Sequence, residues 1–150
     1  MSDREFELTK ISNAAREKTT YFLMAASGSG IGFSLSQTKL EALVPHHYIW
    51  LLAVAIWAIS FWAGIRLTMN ANNVKFKNAS YIGSLNLLKS LEANEASKLE
   101  SLAKEKFDEA VGKHQDRMDI WGRIQMYGLL LGAVTYVVWH LVRMSLQVST

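Results

Sequence analysis

Charged residues are distributed along this 150-residue chain so that three long stretches carry none. The uncharged stretches are residues 19–38, 48–65 and 124–142. About 20 helical residues cross a hydrocarbon core about 30 Å thick, and a helix satisfies its own backbone hydrogen bonds in lipid. The sequence therefore predicts an all-α integral membrane protein with three transmembrane helices, over 19–38, 48–66 and 124–143.

The three uncharged stretches differ in composition. Sixteen of the 18 residues in 48–65 are apolar, as are 14 of the 19 in 124–142, but only nine of the 20 in 19–38. The first stretch is rich in Gly, Ser and Thr, so its insertion into lipid is marginal. We therefore expect the first span to be covered by protein.

Small residues on two of the spans predict close helix packing. The candidate helix-packing residues are Ala25, Gly28, Gly32 and Ser36 on the first span, and Gly128 and Gly132 on the third. Gly-x-x-x-Gly pairs allow two helix backbones to approach to van der Waals contact. The pattern does not distinguish a partner helix within the chain from one in a second copy.

The segments outside the spans complete the predicted organisation. Residues 1–18 are predicted to form an amphipathic cytoplasmic helix, since their charges alternate with an apolar face. Residues 39–47 are predicted to form an outer loop, and residues 144–150 an outer tail. The polar residues 67–123 are predicted to form a cytoplasmic helical hairpin between the second and third spans.

Two further expectations concern this polar region. Asn70, Asn72, Asn73 and Asn78 make its start rich in asparagine, which is typical of turns. The chain has one proline, Pro45. The last helix is therefore expected to run unbroken from the region of Asn94 into the third span.

Lysine and arginine are divided unequally between the segments that flank the spans. Residues 1–18 and 66–123 together hold 14 of them, and the other side holds two, Lys39 and Arg143. Cytoplasmic segments of membrane proteins carry an excess of Lys and Arg. The sequence thus predicts a membrane protein with its N-terminus and residues 66–123 in the cytoplasm and its C-terminus outside.

A stripe of polar side chains follows the first span with a period of seven residues. Its members are Thr20, Ser27, Ser34 and Glu41, the candidate pore-lining residues. In one interpretation they form a wet, hydroxyl-lined surface with an acidic mouth. In the other, which the sequence favours, the hydroxyls bond back to their own helix and face a neighbouring helix.

Other kinds of site lack a signature in the sequence. There is no cysteine, which excludes disulfides and thiolate metal sites. His46 and His47 are adjacent, so on a helix they point about 100° apart and do not converge on one metal. We find no nucleophile motif and no phosphate loop. We therefore expect no catalytic residues, no metal and no cofactor, and a chain that is not an enzyme.

The net charge of +3 does not point to nucleic acid. A nucleic-acid surface usually combines a basic stripe with interleaved aromatic residues, and no such stripe occurs. The charge is explained by the excess of Lys and Arg on one side of the membrane. The expected partners are therefore the lipid bilayer, further copies of the chain, and a soluble cytoplasmic protein.

The first span carries a resemblance to a known group of proteins. The run Lys18-Thr-Thr-Tyr-Phe-Leu, the Gly/Ala/Ser core and the run Ile31-Gly-Phe-Ser-Leu-Ser-Gln-Thr resemble the first span of small uncharacterised bacterial inner-membrane proteins. Some proteins of this build are encoded beside anti-phage systems, where membrane proteins act as effectors or sensors. The resemblance implies a multi-pass protein of the bacterial inner membrane with a role in anti-phage defence.

Two functions are consistent with these patterns. The first is an oligomeric membrane effector or channel, in which the first span lies innermost and the cytoplasmic helices receive a signal. The second is a non-conducting anchor or scaffold whose cytoplasmic helices recruit a soluble partner. The spans contain no central Asp, Glu, Lys or Arg, which argues against an ion-coupled carrier.

Overall fold

The described residues of the computed structural model form three α-helices: α1 Asp3–Gln37, α2 His47–Leu88 and α3 Ala93–Val148. The all-α fold expected from the sequence is confirmed for these residues. The predicted outer loop over 39–47 lies outside them, apart from His47, which begins α2.

The helices are longer than the sequence segments that predicted them. Residues 1–18 and the first span were expected as two elements, but α1 is continuous over its 35 residues. The turn region expected over 70–78 is wrong, because α2 continues through it. Asparagine is only a modest helix former, but no glycine or proline interrupts this segment. The unbroken last helix is confirmed, since α3 has 56 residues.

The chain divides into two compact units. The first unit, called the three-helix unit, comprises Met1–Ile65 and Trp121–Thr150. It brings together most of α1, the first part of α2 and the last part of α3. Its buried apolar side chains are few and include Trp57 and Trp139. Small residues, among them Ala53, Ser60 and Ala63, fill further helix contacts.

The second unit, called the two-helix unit, comprises Arg66–Ile120. Here α2 and α3 pair in antiparallel orientation. The rings of Tyr81 and Phe107 stack with their centroids 4.7 Å apart, and Asn70 Oδ1 lies 3.2 Å from His114 Nδ1. The helical pairing predicted for 67–123 is therefore present.

Two of the helices are long and apolar enough to cross a membrane. They are the segments His47–Asn86 of α2 and Ser97–Leu146 of α3, in whose most apolar windows only 33% and 11% of the residues are buried. A helix in the core of a soluble protein would bury most of such a window. The exposed apolar surface supports association with a membrane. Helix α1 is not one of these two helices.

Candidate functional site

A ring of polar contacts joins the three helices of the three-helix unit. Ser27 Oγ on α1 lies 3.1 Å from Ser60 Oγ on α2. Ser60 Oγ donates to the carbonyl oxygen of Gln125 on α3 at 2.7 Å. Gln125 Nε2 donates back to the carbonyl oxygen of Thr20 on α1 at 3.1 Å. We call Thr20, Ser27, Ser60 and Gln125 the polar ring.

Each hydroxyl group of the polar ring can donate only one hydrogen bond, and this limits which of the bonds can form together. A hydroxyl has one proton, and that of Ser60 is directed to the Gln125 carbonyl. Ser27 Oγ has two acceptors in range, the Leu23 carbonyl at 2.9 Å and Ser60 Oγ. The Ser27 proton can therefore close the ring or return to its own helix, whereas the other two interhelical bonds are unaffected.

The side chain of Gln125 is the most constrained member of the polar ring. The residue has no exposed surface, and no described residue donates a hydrogen bond to its Oε1 atom. A Cβ atom added to Gly64 would come within 2.5 Å of Gln125 Nε2 and would also overlap Met24. Gly64 is therefore the residue that leaves room for the amide between the helices.

A second contact, one turn away, is built around Trp57. Its Nε1 atom donates to the carbonyl oxygen of Leu129 at 3.2 Å. Glycines lie against the indole from two helices: an added Cβ would lie 2.5 Å from the ring at Gly132 and 3.1 Å from it at Gly30. Tyr136 also contacts the ring, with centroids 5.6 Å apart. The glycines thus form a slot that a large aromatic side chain fills.

The small-residue motif on α3 packs within the chain. An added Cβ at Gly128 would lie 3.0 Å from Ser60 Cβ, and Gly132 contacts Trp57. Both partner residues are on α2. In the structure this motif therefore packs against α2 of the same chain.

The small-residue face of α1 is placed differently. Ala25, Gly32 and Ser36 are exposed, and Gly28 is half-buried near Phe61. An added Cβ at Gly32 would meet no atom within 4 Å. This face, which we call the small face and define as Ala25, Gly28, Ser29, Gly32 and Ser36, points largely away from α2 and α3.

The polar stripe predicted on α1 lies on the opposite side of the helix. Thr20, Ser27 and Ser34 are all buried. Their hydroxyls donate to carbonyls one turn earlier, at 2.9 Å in each case. This is the arrangement in which hydroxyls face neighbouring helices. Glu41, the fourth member of the stripe, lies outside the described residues.

Two buried indole groups, near the start of α2 and the end of α3, have no hydrogen-bond acceptor among the described residues. They are the Nε1 atoms of Trp50 and Trp139. Since Trp57 contacts Gly132 in an antiparallel pair, Trp50 and Trp139 lie at the same level, seven residues further along. The Arg143 guanidinium carbon lies 5.6 Å from the Trp139 ring centroid. Aromatic contacts of Trp139 with Tyr136 and Arg143 pack this end of the unit.

Sequence reasoning missed Gln125 and Trp57. Gln125 was treated as one of several non-apolar residues in the third span, but it shares a helical face with Gly128 and Gly132, three and seven residues later. A lone amide on the small-residue face of an apolar helix is the signal that would have found it. Nothing in the sequence pairs Trp57 with Gly30 and Gly132.

No protein-family model, no curated protein and no solved structure matches the chain. Within the described ranges, no group of three or more His, Asp or Glu side chains is arranged to hold a metal ion. The arguments about function therefore depend on the geometry of the helices and on the chemistry of their exposed faces.

Proposed function

We propose that the chain is a multi-pass protein of the bacterial inner membrane that forms a homo-oligomer through α1 and acts as a membrane effector or channel. In this proposal all three helices cross the bilayer, with the N-terminus in the cytoplasm and the C-terminus outside. The two-helix unit lies in the cytoplasm. The resemblance of the first span makes anti-phage defence the setting that we propose.

The observation that carries this proposal is the exposure of the small face of α1. Ala25 and Gly32 are exposed even though α1 packs on two other helices. In lipid, a surface of Gly, Ser and Ala gives up little by leaving the acyl chains, and it gains dispersion contacts from a second helix. A second copy of the same face is the simplest partner, since closed symmetric assemblies are the most common.

The placement of the hydroxyl groups decides which residues line a channel in this assembly. Thr20, Ser27 and Ser34 are occupied within the three-helix unit. The hydroxyls that remain on the outer side of α1 are those of Ser29 and Ser36, both exposed. We therefore propose that the lining of a central passage consists of the small face and not of the heptad stripe.

Replacing Gly32 with leucine is expected to reduce the oligomer to monomers and to abolish conductance in planar bilayers. Among the described residues, no atom lies within 4 Å of a Cβ added at Gly32, so we expect the single chain to keep its fold. The bulk of the leucine separates the α1 backbones of neighbouring copies. Light scattering in mild detergent measures the assembly, and circular dichroism checks the helix content.

The matched control for this variant is Gly112→Leu. Gly112 is also exposed, with no atom within 4 Å of an added Cβ, but it lies in the two-helix unit. It should assemble as the wild-type chain does. A wild-type chain that is monomeric in mild detergent, or a Gly32→Leu variant that keeps the wild-type assembly, contradicts the proposal.

Labelling of single cysteines is expected to distinguish three spans from two. The chain has no cysteine, so Ser12→Cys, Ser101→Cys and Ser145→Cys each give a clean signal. An impermeant maleimide applied to spheroplasts should label only the Ser145→Cys variant. If α1 does not cross the membrane, the Ser12→Cys variant is labelled as well. Labelling of the Ser101→Cys variant contradicts the orientation that the charge distribution predicts.

One observation favours the anchor as a second candidate function. The two-helix unit exposes large apolar side chains, among them Phe76 at 75% and Ile82 at 52% exposure. Such residues on a polar segment are a typical contact surface for a soluble protein. The two candidates differ in one measurement, because an anchor assembles without conducting. A wild-type oligomer that shows no conductance in a planar bilayer favours the anchor over the channel.

A further inference from the structure

The exposed side of α1 follows one line along most of the helix. Positions that alternate in steps of three and four residues lie on one face of an α-helix. From Ala25 in the small face, this spacing leads toward the N-terminus through Phe22, Lys18, Ala15 and Ile11. All five residues are exposed. We call these five residues and the rest of the small face the outer line of α1.

Lys18 is the one charged residue on the outer line. It lies seven residues before Ala25 and 14 before Gly32, which places it on the same side of the helix. Residues 19–37 carry no charge, so Lys18 marks the cytoplasmic edge of the first span in the proposed topology. Among the described residues, no carboxylate forms an ion pair with it. The outer line therefore has a single positive charge at one end of its uncharged part.

We propose that the passage at the centre of the assembly conducts small inorganic anions, with Lys18 of every copy forming a positive ring at its cytoplasmic mouth. This inference rests on the proposed function, because the assembly places the outer line around the passage. A lysine side chain attracts an anion and repels a cation by the same Coulomb energy, and rings of Lys or Arg set the selectivity of anion pores. No acidic residue on the outer line opposes that charge.

The nearest acidic residues on α1 do not cancel the charge of Lys18. Glu17 directly precedes it in the chain, so Glu17 points about 100° away around the helix. Glu7 lies on nearly the same side as the outer line but 11 residues earlier, which is about 16 Å along the axis. This distance exceeds the Debye length of about 8 Å at physiological ionic strength. The field at the mouth is therefore dominated by Lys18.

Phe22 is the next residue of the outer line, one turn further into the span. Its side chain is 70% exposed. In the assembly, a ring of these side chains narrows the passage directly behind the ring of lysines. Hydrophobic constrictions oppose the entry of hydrated ions. Phe22→Ala should therefore raise the single-channel conductance and leave the ion preference unchanged.

Arg123 offers a matched control on another helix. Helices α1 and α3 run in the same direction, and Gln125 Nε2 donates to the Thr20 carbonyl at 3.1 Å. Lys18 and Arg123 each come two residues before one of these partners, so the two basic residues lie near the same level of the three-helix unit. Arg123 is exposed. A step of two residues turns it about 160° away from Gln125, and hence away from α1.

The test uses the full chain in planar bilayers of zwitterionic lipid, with a tenfold gradient of potassium chloride and the reversal potential as the readout. The wild-type assembly should prefer chloride over potassium by about tenfold. Lys18→Gln should lose this preference, Lys18→Glu should reverse it, and Lys18→Arg should keep it. Arg123→Gln should conduct with the wild-type preference. Higher salt on both sides should weaken the preference of the wild type, because ions screen the ring.

The outcomes separate this inference from the proposed function. Light scattering checks that each variant assembles, and labelling of an added Ser145→Cys checks its orientation. A wild-type oligomer that conducts without preferring chloride overturns the inference and leaves the channel in place. A Lys18→Gln variant that keeps the wild-type preference does the same, as does an equal loss in Arg123→Gln. A wild-type chain that assembles and does not conduct overturns both the channel and its selectivity.

Discussion

Replacing Gly132 with alanine is expected to destabilise the three-helix unit, and replacing it with leucine is expected to prevent α2 from packing on α3. An added Cβ would lie 2.5 Å from Trp57 Cδ1 and 2.6 Å from Nε1, closer than real Cβ contacts allow. The obstacle is a rigid ring and not the end of a flexible chain. Trp57 is only 5% exposed and has no free side toward which it can move.

The expected change in the free energy of unfolding of Gly132→Ala is the sum of two opposing effects. Overpacking of a filled contact costs about 1–3 kcal/mol for the smallest additions. Replacement of glycine by alanine inside a helix returns about 1 kcal/mol through helix propensity. The steric effect is the larger one at Gly132, because relief requires breaking the Trp57–Leu129 hydrogen bond of 3.2 Å. We therefore expect a net loss of about 1–2 kcal/mol for alanine.

A graded series of glycine variants gives the control for this prediction. An added Cβ would lie 2.5 Å from its nearest neighbour at Gly132 and 3.0 Å at Gly128, and would have no neighbour within 4 Å at Gly112. The loss of stability should follow that order, and Gly112→Ala should be neutral or stabilising. Unfolding in mixed micelles, followed by tryptophan fluorescence, measures it. Equal stability of the Gly132→Ala and Gly112→Ala variants contradicts the steric explanation.

The sequence predicted the helices well because the spacing of charges reports directly on them. Glycines at positions 128 and 132 also predicted close packing, since a missing side chain has one physical consequence wherever it occurs. The sequence could not predict which side chain fills the space beside these glycines. Trp57 enters the slot between Gly30 and Gly132 because of the register between helices that are far apart in the chain. Composition does not determine that register.

The asparagine-rich segment is a case in which a local sequence pattern gave a wrong prediction. The local turn propensity of Asn70 and Asn78 predicted a turn, but the segment stays helical because α3 packs along it. Asn70 is held by His114, a contact across 44 residues of chain. Local propensities differ by only some tenths of a kcal/mol per residue, so tertiary contacts of this kind override them.

On α1, the hydroxyl stripe is buried and the small face is largely exposed, although the sequence made both candidates for packing. The residues with a period of seven, Thr20, Ser27 and Ser34, form one side, and Ala25 and Gly32 lie on another. Both sides are poor in large apolar groups, so the sequence could not rank them for burial. In the structure the hydroxyl side is buried, because each hydroxyl is already satisfied by its own helix and can enter a dry interface without loss.

Replacing Gln125 with alanine is expected to destabilise the three-helix unit by about 2–4 kcal/mol, which is the range for removing a fully buried side chain of this size. The residue has no exposed surface and lies where all three helices meet. Its loss leaves a cavity and also removes the Nε2 bond to the Thr20 carbonyl at 3.1 Å.

Replacing the same residue with methionine is expected to change stability by no more than about 1 kcal/mol. Methionine fills the space with an unbranched chain, as Gly64 requires, but it has no amide. The bond from Nε2 is lost, and so is the cost of burying Oε1, which has no donor within the described part of the chain. Interhelical hydrogen bonds in membranes average only about 0.6 kcal/mol, so these two effects nearly cancel.

The pair of variants separates the two roles that Gln125 can have in the polar ring. If the residue acts by filling space, Gln125→Met retains the stability and Gln125→Ala does not. If the hydrogen bonds are what hold the helices together, both variants lose stability equally. Ser60→Ala tests the remaining link, because it removes the bond to the Gln125 carbonyl with little change of volume. We expect it to cost about 0.5–2 kcal/mol, less than Gln125→Ala, and a larger loss contradicts the view that packing dominates this contact.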